Sequence, residues 1–204
     1  PPDPISAGVT YTVTKPNDTN DGTCDADCSL REAVVAANSH PGYDTIVVPA
    51  GTYTLSLTTT GSDTSGVGDL DLTDSATVVG DSRATTVITA DAAFNDRIVH
   101  ISSSANVTLK HLTIQNGRAS GSDGGGVYVY TSSGDPGTVA LLEDVLITGN
   151  SSNDDGGGVG VDRAVVTIAN STISNNTADD ATDTAYGGGV YVSSESGSTL
   201  ILLN

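Results

Sequence analysis

The chain has 204 residues, with 7 Lys and Arg against 25 Asp and Glu, a formal net charge of −18. A surface so poor in bases repels phosphate, which excludes nucleic acid and an anionic membrane as natural partners. The 24 glycines, the single Phe and the lack of Met and Trp speak against a helical bundle and for a β architecture with many tight turns. No apolar run reaches the roughly 18 residues that a membrane span requires, so no membrane insertion is expected. The Pro1-Pro2-Asp3-Pro4 start carries no leader pattern, and a mature or trimmed extracellular chain is expected.

From the N-terminus, the first feature is an acidic loop holding Asp18, Asn20, Asp21, Asp25 and Asp27 around Gly22. Hard cations want several converging oxygens, and a Gly permits the tight turn that brings them together. These five are therefore the candidate ligands for calcium, the one cofactor to which the sequence points. The run is one residue short of an EF-hand loop and has no Glu at the twelfth position. The alternative is a solvated acidic loop placed ahead of a helix, where the helix dipole favours Asp. Cys24 and Cys28, the two cysteines, are too few for a thiolate zinc site. A local disulfide in an oxidising compartment is expected, with two reduced thiols as the alternative.

One helix is predicted, over about residues 29–38. Ser29-Leu30-Arg31-Glu32 is a capping box, with Ser at the N-cap and Glu three positions on. Leu30, Ala33, Val34 and Ala37 form one apolar stripe, and the pattern stops at Asn38 to Gly42. Such a helix suits the job of covering the hydrophobic end of a solenoid.

Internal repetition dominates the C-terminal half of the chain. Residues 107–116, 140–149 and 166–175 align, and a fourth copy begins at Leu200 to Asn204. Glycine triplets at 124–126, 156–158 and 187–189 separate the copies. From Leu109 through Leu142 and Ile168 to Leu202 the spacings are 33, 26 and 34 residues. A constant core with unequal spacing means that each coil keeps its strands and varies its loops. Apolar residues alternate in pairs, Val107 and Leu109, then Leu112 and Ile114, the mark of two short strands with one buried face. The extra polar residue between them, at His111, Asp144, Asn170 and Asn204, marks a sharp corner, and the four are predicted to stack as a ladder. Asn116, Gly149 and Asn175 are predicted to stack likewise, with hydrogen bonds between side chains along the axis. The fold expected is all-β, a single parallel β-helix with a short N-terminal capping α-helix. Residues 1–60 form the cap segment and 61–204 the coils, the last incomplete.

Cys28-Ser29-Leu30-Arg31-Glu32-Ala33, followed by Asp44-Thr45-Ile46-Val47-Val48-Pro49-Ala50-Gly51-Thr52-Tyr53, resembles the CSLREA domain. The repeats look like those that follow this domain in bacterial and archaeal surface proteins, and like polymorphic outer-membrane and autotransporter passenger repeats. The resemblance implies a right-handed β-helix at the cell surface or secreted. It implies place and shape more firmly than activity.

Lyases of similar fold need clustered calcium carboxylates and a base, and Arg83, Arg97, Lys110, Arg118 and Arg163 are scattered over the repeats. Asp154-Asp155 and Asp179-Asp180, paired in loops that lead to glycine triplets, read as solvated loop acids, with weak cation sites as the alternative. The Gly-His-Gly and Arg-x-Lys strings of similar hydrolases do not occur. His40, His100 and His111 lie far apart and read as satisfied surface or corner residues, so no catalytic residue is assigned. The expectation is a non-catalytic extracellular stalk, adhesin or filament component. It would self-associate through an uncapped C-terminal coil or continue into further repeats. The alternatives are a carbohydrate-active enzyme and a calcium-dependent carbohydrate-binding module.

Overall fold

The structure, a computed structural model, describes residues 7–58, 64–135, 137–179, 185–195 and 197–204. Strict alternation of burial makes the strands. In Asn106–Lys110, Val107 and Leu109 are buried while the intervening Thr108 faces out. A short strand β1 (Thr10–Thr12) and the helix α1 (Leu30–Ser39) come first, ahead of the coils. The first coil carries β2 (Asp44–Val48) and β3 (Gly51–Leu55), and the second β4 (Leu70–Leu72), β5 (Ala76–Gly80) and β6 (Thr86–Ala90). The third has four strands: β7 (Val99–Ile101), β8 (Asn106–Lys110), β9 (Thr113–Gln115) and β10 (Arg118–Ala119). The fourth repeats them as β11 (Val127–Tyr130), β12 (Val139–Glu143), β13 (Leu146–Thr148) and β14 (Ser151–Ser152). The fifth does so as β15 (Val159–Asp162), β16 (Val165–Ala169), β17 (Thr172–Ser174) and β18 (Thr177–Ala178). Last come β19 (Val190–Val192) and β20 (Thr199–Leu203).

Stacked, these coils make a right-handed parallel β-helix of about six turns with one short helix. Its seven-stranded sheet runs β1-β2-β5-β8-β12-β16-β20. Two five-stranded sheets run β17-β13-β9-β6-β3 and β19-β15-β11-β7-β4, and a short one β10-β14-β18. Register holds to the residue: Leu109 lies beside Leu142, Leu142 beside Ile168, and Ile168 beside Leu202. The expected division near residue 60 falls in 59–63, outside the described residues. On its N-terminal side, β2 and β3 already share sheets with the later coils.

The corners follow from backbone conformation. His111, Asp144 and Asn170 adopt φ of 58°, 49° and 50°, and Asn170 N–H reaches Leu203 O just before Asn204. A second left-handed row is Asn116, Gly149 and Asn175, at 62°, 66° and 55°. The hydrogen-bonded asparagine ladder does not lie in this second row, as expected from sequence, but one residue later. Asn150, 1% exposed, accepts from Gly117 N–H at 2.9 Å and donates to Ile114 O and to Asn176 Oδ1. Asn176 in turn donates to Ile147 O. The left-handed residue turns the chain, and the next side chain points inward, where backbone groups need partners. The glycine triplets share this corner, because a Cβ on Gly125 would stand 2.2 Å from Ser151 O of the next coil.

At the N-terminal end, α1 packs against β1, β2 and β4. Ser29 is the N-cap and the capping box closes, with the helix running one residue beyond its expected end, to Ser39. Each residue of the motif has a structural task. Cys28 is disulfide-bonded to Cys24, while Leu30 and Ala33 are buried in the core. Glu32 accepts from Ser29 N–H, Asp21 N–H and Thr19 Oγ1. Burial pushes the Glu32 carboxyl up, but these hydrogen bonds and Lys15 outweigh it and leave its pKa lowered. Arg31, wholly buried, grips Asp18 through two bonds of 2.7 and 3.1 Å and donates to the Gly68 and Asp69 carbonyls.

Arg31→Met would leave Asp18 desolvated and unpaired. Removing one partner of a buried pair costs about 3–5 kcal/mol, so equilibrium urea unfolding should show a loss of that size. A loss under about 1 kcal/mol, the size typical of exposed pairs, would mean that the cap does not depend on this clamp.

Candidate functional site

Among the described residues, titratable groups concentrate on the outer face of the sheet β19-β15-β11-β7-β4. Outward positions align across it from Asp71 through His100, Tyr128 and Gly160 to Tyr191. The His100 and Tyr128 rings stack with centroids 5.5 Å apart, and Arg97 lies over Tyr128 at 4.9 Å. Arg97 also ion-pairs with buried Asp69 at 3.0 Å. Burial, with Asp123 and Asp162 nearby, raises the Tyr128 hydroxyl well above its ordinary range and keeps it protonated.

Two groups of potential metal ligands lie on this side, each with ligand atoms within 4.8 Å of one another. One is Asp69, Asp71 and His100; the other is Asp123, Asp154 and Asp155. The second sits where the chain enters the glycine triplets. Asp123 Oδ1 accepts from Asp155 N–H at 3.1 Å, and Asp155 Oδ1 accepts from Tyr186 N–H at 2.6 Å. Successive coils thus stack their acids in one column. Burial and the neighbouring Asp154 and Asp155 raise the Asp123 pKa to about 6. An oxygen-only set of this kind suits a hard cation such as calcium, whose charge would relieve the crowding.

The five acidic-loop residues named from sequence are not brought together. Asp18 is held by Arg31 and accepts from the Ser56 and Leu57 amides. Asn20, Asp21 and Asp25 each accept from the amide two residues on, at Gly22, Thr23 and Asp27. Asp27 pairs with Lys15 at 3.1 Å. Each side chain closes its own local turn or meets a base, so the oxygens do not converge. Asp154 and Asp155, a pair expected as solvated loop acids or a weak cation site, converge with Asp123, while Asp180 lies outside the described residues. Spacing hid that cluster, because Asp123 comes from the preceding coil. In the corner ladder, His111 Nδ1 meets Asp144 Oδ2 at 2.9 Å, and Arg83 joins at 3.3 Å. His40 and His100 also face carboxylates through Nδ1, Asp44 at 3.1 Å and Asp71 at 3.0 Å.

Asp123 carries a sign that stability measurements can read. Its folded pKa, about 6, stands above the ordinary 3.8. The folded state holds this proton more tightly, so the contribution is present below 3.8 and lost as pH rises through about 6. Asp123→Asn should therefore melt higher than the parent at pH 7, with the gap closing toward pH 4. Parallel melting curves across that range would show that Asp123 titrates as an ordinary carboxylate.

Comparison with curated proteins and with solved structures returns no match. The family described as right handed beta helix region matches residues 97–201, just over half of the chain. The matched span begins at Arg97 and takes in the third to fifth coils, with their corner ladders and glycine triplets. By this match and this fold, the chain belongs to the right-handed β-helix family.

Proposed function

We propose that the chain is a non-catalytic extracellular module, a surface stalk or adhesin of CSLREA type. The supporting observation is the use made of Cys28 to Ala33, the most specific string in the sequence. Disulfide, N-cap, core contact, buried clamp and capping box take up all six residues. What identifies the group is thereby an architectural device, a seal on the first coil, rather than reaction chemistry. A disulfide and a charge of −18 suit an oxidising, aqueous exterior. The mechanism is rigid display: stacked coils hold their loops at fixed heights, where a carbohydrate or protein surface meets them.

Protease treatment of intact host cells should degrade the protein, and thiol labelling of the recovered material should find Cys24 and Cys28 oxidised. Full protection in the cytosol with both thiols reduced would overturn the location. Acidic polysaccharides incubated with the protein and calcium should remain intact, and robust unsaturated product would favour a carbohydrate-active enzyme instead.

A display module of this kind also needs a partner for its β20 edge. Ile201, Leu202 and Leu203 are exposed there, Leu202 at 69%. Either further repeats continue the solenoid or a second chain docks on it. Light scattering should show association that Leu202→Lys abolishes if a second chain docks. A stable monomer with and without the substitution would mean that the β20 edge needs no partner and would overturn this reading.

A further inference from the structure

We infer that Asp69, Asp71 and His100 bind one divalent transition-metal ion of the zinc or manganese class. Asp71 and His100 are register partners on adjacent strands, and Asp69 precedes β4 by one residue. The ligand atoms of all three lie within 4.8 Å of one another. His100 Nδ1 and Asp71 Oδ1 are 3.0 Å apart, about the separation of neighbouring ligands on an ion with bonds near 2.1 Å. An imidazole nitrogen beside two carboxylates favours a first-row ion over calcium, which takes oxygen alone.

Charge and hydrogen bonding agree. The Asp69 side chain is fully buried and Asp71 is 13% exposed, with Arg97 the cation in contact with Asp69. An ion between these two carboxylates would add to the compensation that Arg97 gives Asp69. The unmet polar atoms here are an independent sign. Arg97 Nη1 and His100 Nε2 are buried without a hydrogen-bond partner, and such groups call for a water or an ion. With an ion on Nδ1, His100 Nε2 carries the proton and points away from the ion, so Arg97 Nη1 is the orphan that a water ligand of the ion would serve. No such orphan is found in the oxygen-only cluster at Asp123 among the described residues.

The site is also rigidly backed. Arg31 donates to the Asp69 carbonyl at 3.1 Å and Asn38 to the Asp71 carbonyl at 2.6 Å, so the capping helix holds the ligand strand by its backbone. A bound ion would tie this strand to the next coil, through His100.

Isothermal titration of ZnCl2 and MnCl2 into the 204-residue chain, with excess CaCl2 to fill oxygen-only sites, tests the assignment. One ion per chain should bind, with affinity falling about tenfold or more in His100→Gln and Asp71→Asn. His111→Gln, His40→Gln and Asp123→Asn should bind as the parent does. X-ray absorption at the zinc edge of the parent protein, which needs no variant to fold, should show one imidazole nitrogen among oxygen ligands. Failure of the parent to bind one equivalent, an oxygen-only shell, or loss of the ion in His111→Gln would each overturn the assignment.

Discussion

A parallel solenoid rests on one constraint: every coil must lie in register on the one before it, about 4.8 Å away. The backbone cannot bulge toward its neighbour anywhere around the turn. Glycine appears where backbone meets backbone, as at Gly125 and Gly157, each with a carbonyl of the next coil 2.2 Å from where a Cβ would be. The same constraint fixes the corners. A single left-handed residue, such as His111, Asp144 or Asn170, turns the chain without adding length, so the strands on either side keep their register. At the corner where pairing between strands lapses, the amides of Asn150 and Asn176 take over the hydrogen bonds.

Among the described residues, β1 and α1 are what lies against the N-terminal side of the first coil, and this cap closes it with a different set of forces. Apolar cover comes from Leu30 and Val34 of α1, both buried in the core. Polar closure comes from Arg31, which neutralises Asp18 and satisfies carbonyls at the approach to β4. Burying an ion pair is a costly way to join two segments, and well-packed apolar side chains often do as well or better. What the charged clamp adds is direction, because a planar guanidinium with five donors accepts few arrangements of its partners. That fixes how the helix sits on the coil, which packing of small apolar residues alone leaves looser.

Features with local causes were legible in the sequence. The helix needed only its capping box and four apolar residues, and the left-handed corners needed only a polar residue interrupting an alternation. Repetition then gave the coil register without any knowledge of contacts. What escaped was whatever depends on where a side chain points once coils are stacked. An Asn ladder read from the repeats falls one residue early, because the turning residue and the bonding residue are adjacent, and at Asn175-Asn176 both are asparagine. The acidic loop looked like a cation site on composition. Asp18 belonged instead to Arg31, thirteen residues away, and Asn20, Asp21 and Asp25 to their own turns. His100 reads from sequence as a satisfied residue, as it is through Nδ1, but the residue that satisfies it, Asp71, lies 29 positions back, about one coil.

Repetition also offers a way to separate architecture from chemistry within one chain. Positions that hold like residues in successive coils, such as Leu109, Leu142, Ile168 and Leu202, answer to the shared geometry. An outward position that changes from coil to coil while keeping its register is released from that demand. The row Asp71, His100, Tyr128, Gly160, Tyr191 is of this kind, five positions with four residue types on one flat face. Stacking alone would be served by a run of Thr or Val, which suits a pleated surface. Glycine at 160 even weakens the strand, and it admits the Asp123 loop, whose Cβ would stand 3.0 Å from a Cβ placed there. A strand residue given up so that an acid can approach weakens β15 locally, and the return is the hydrogen bond that Asp123 Oδ1 accepts from Asp155 N–H between successive coils.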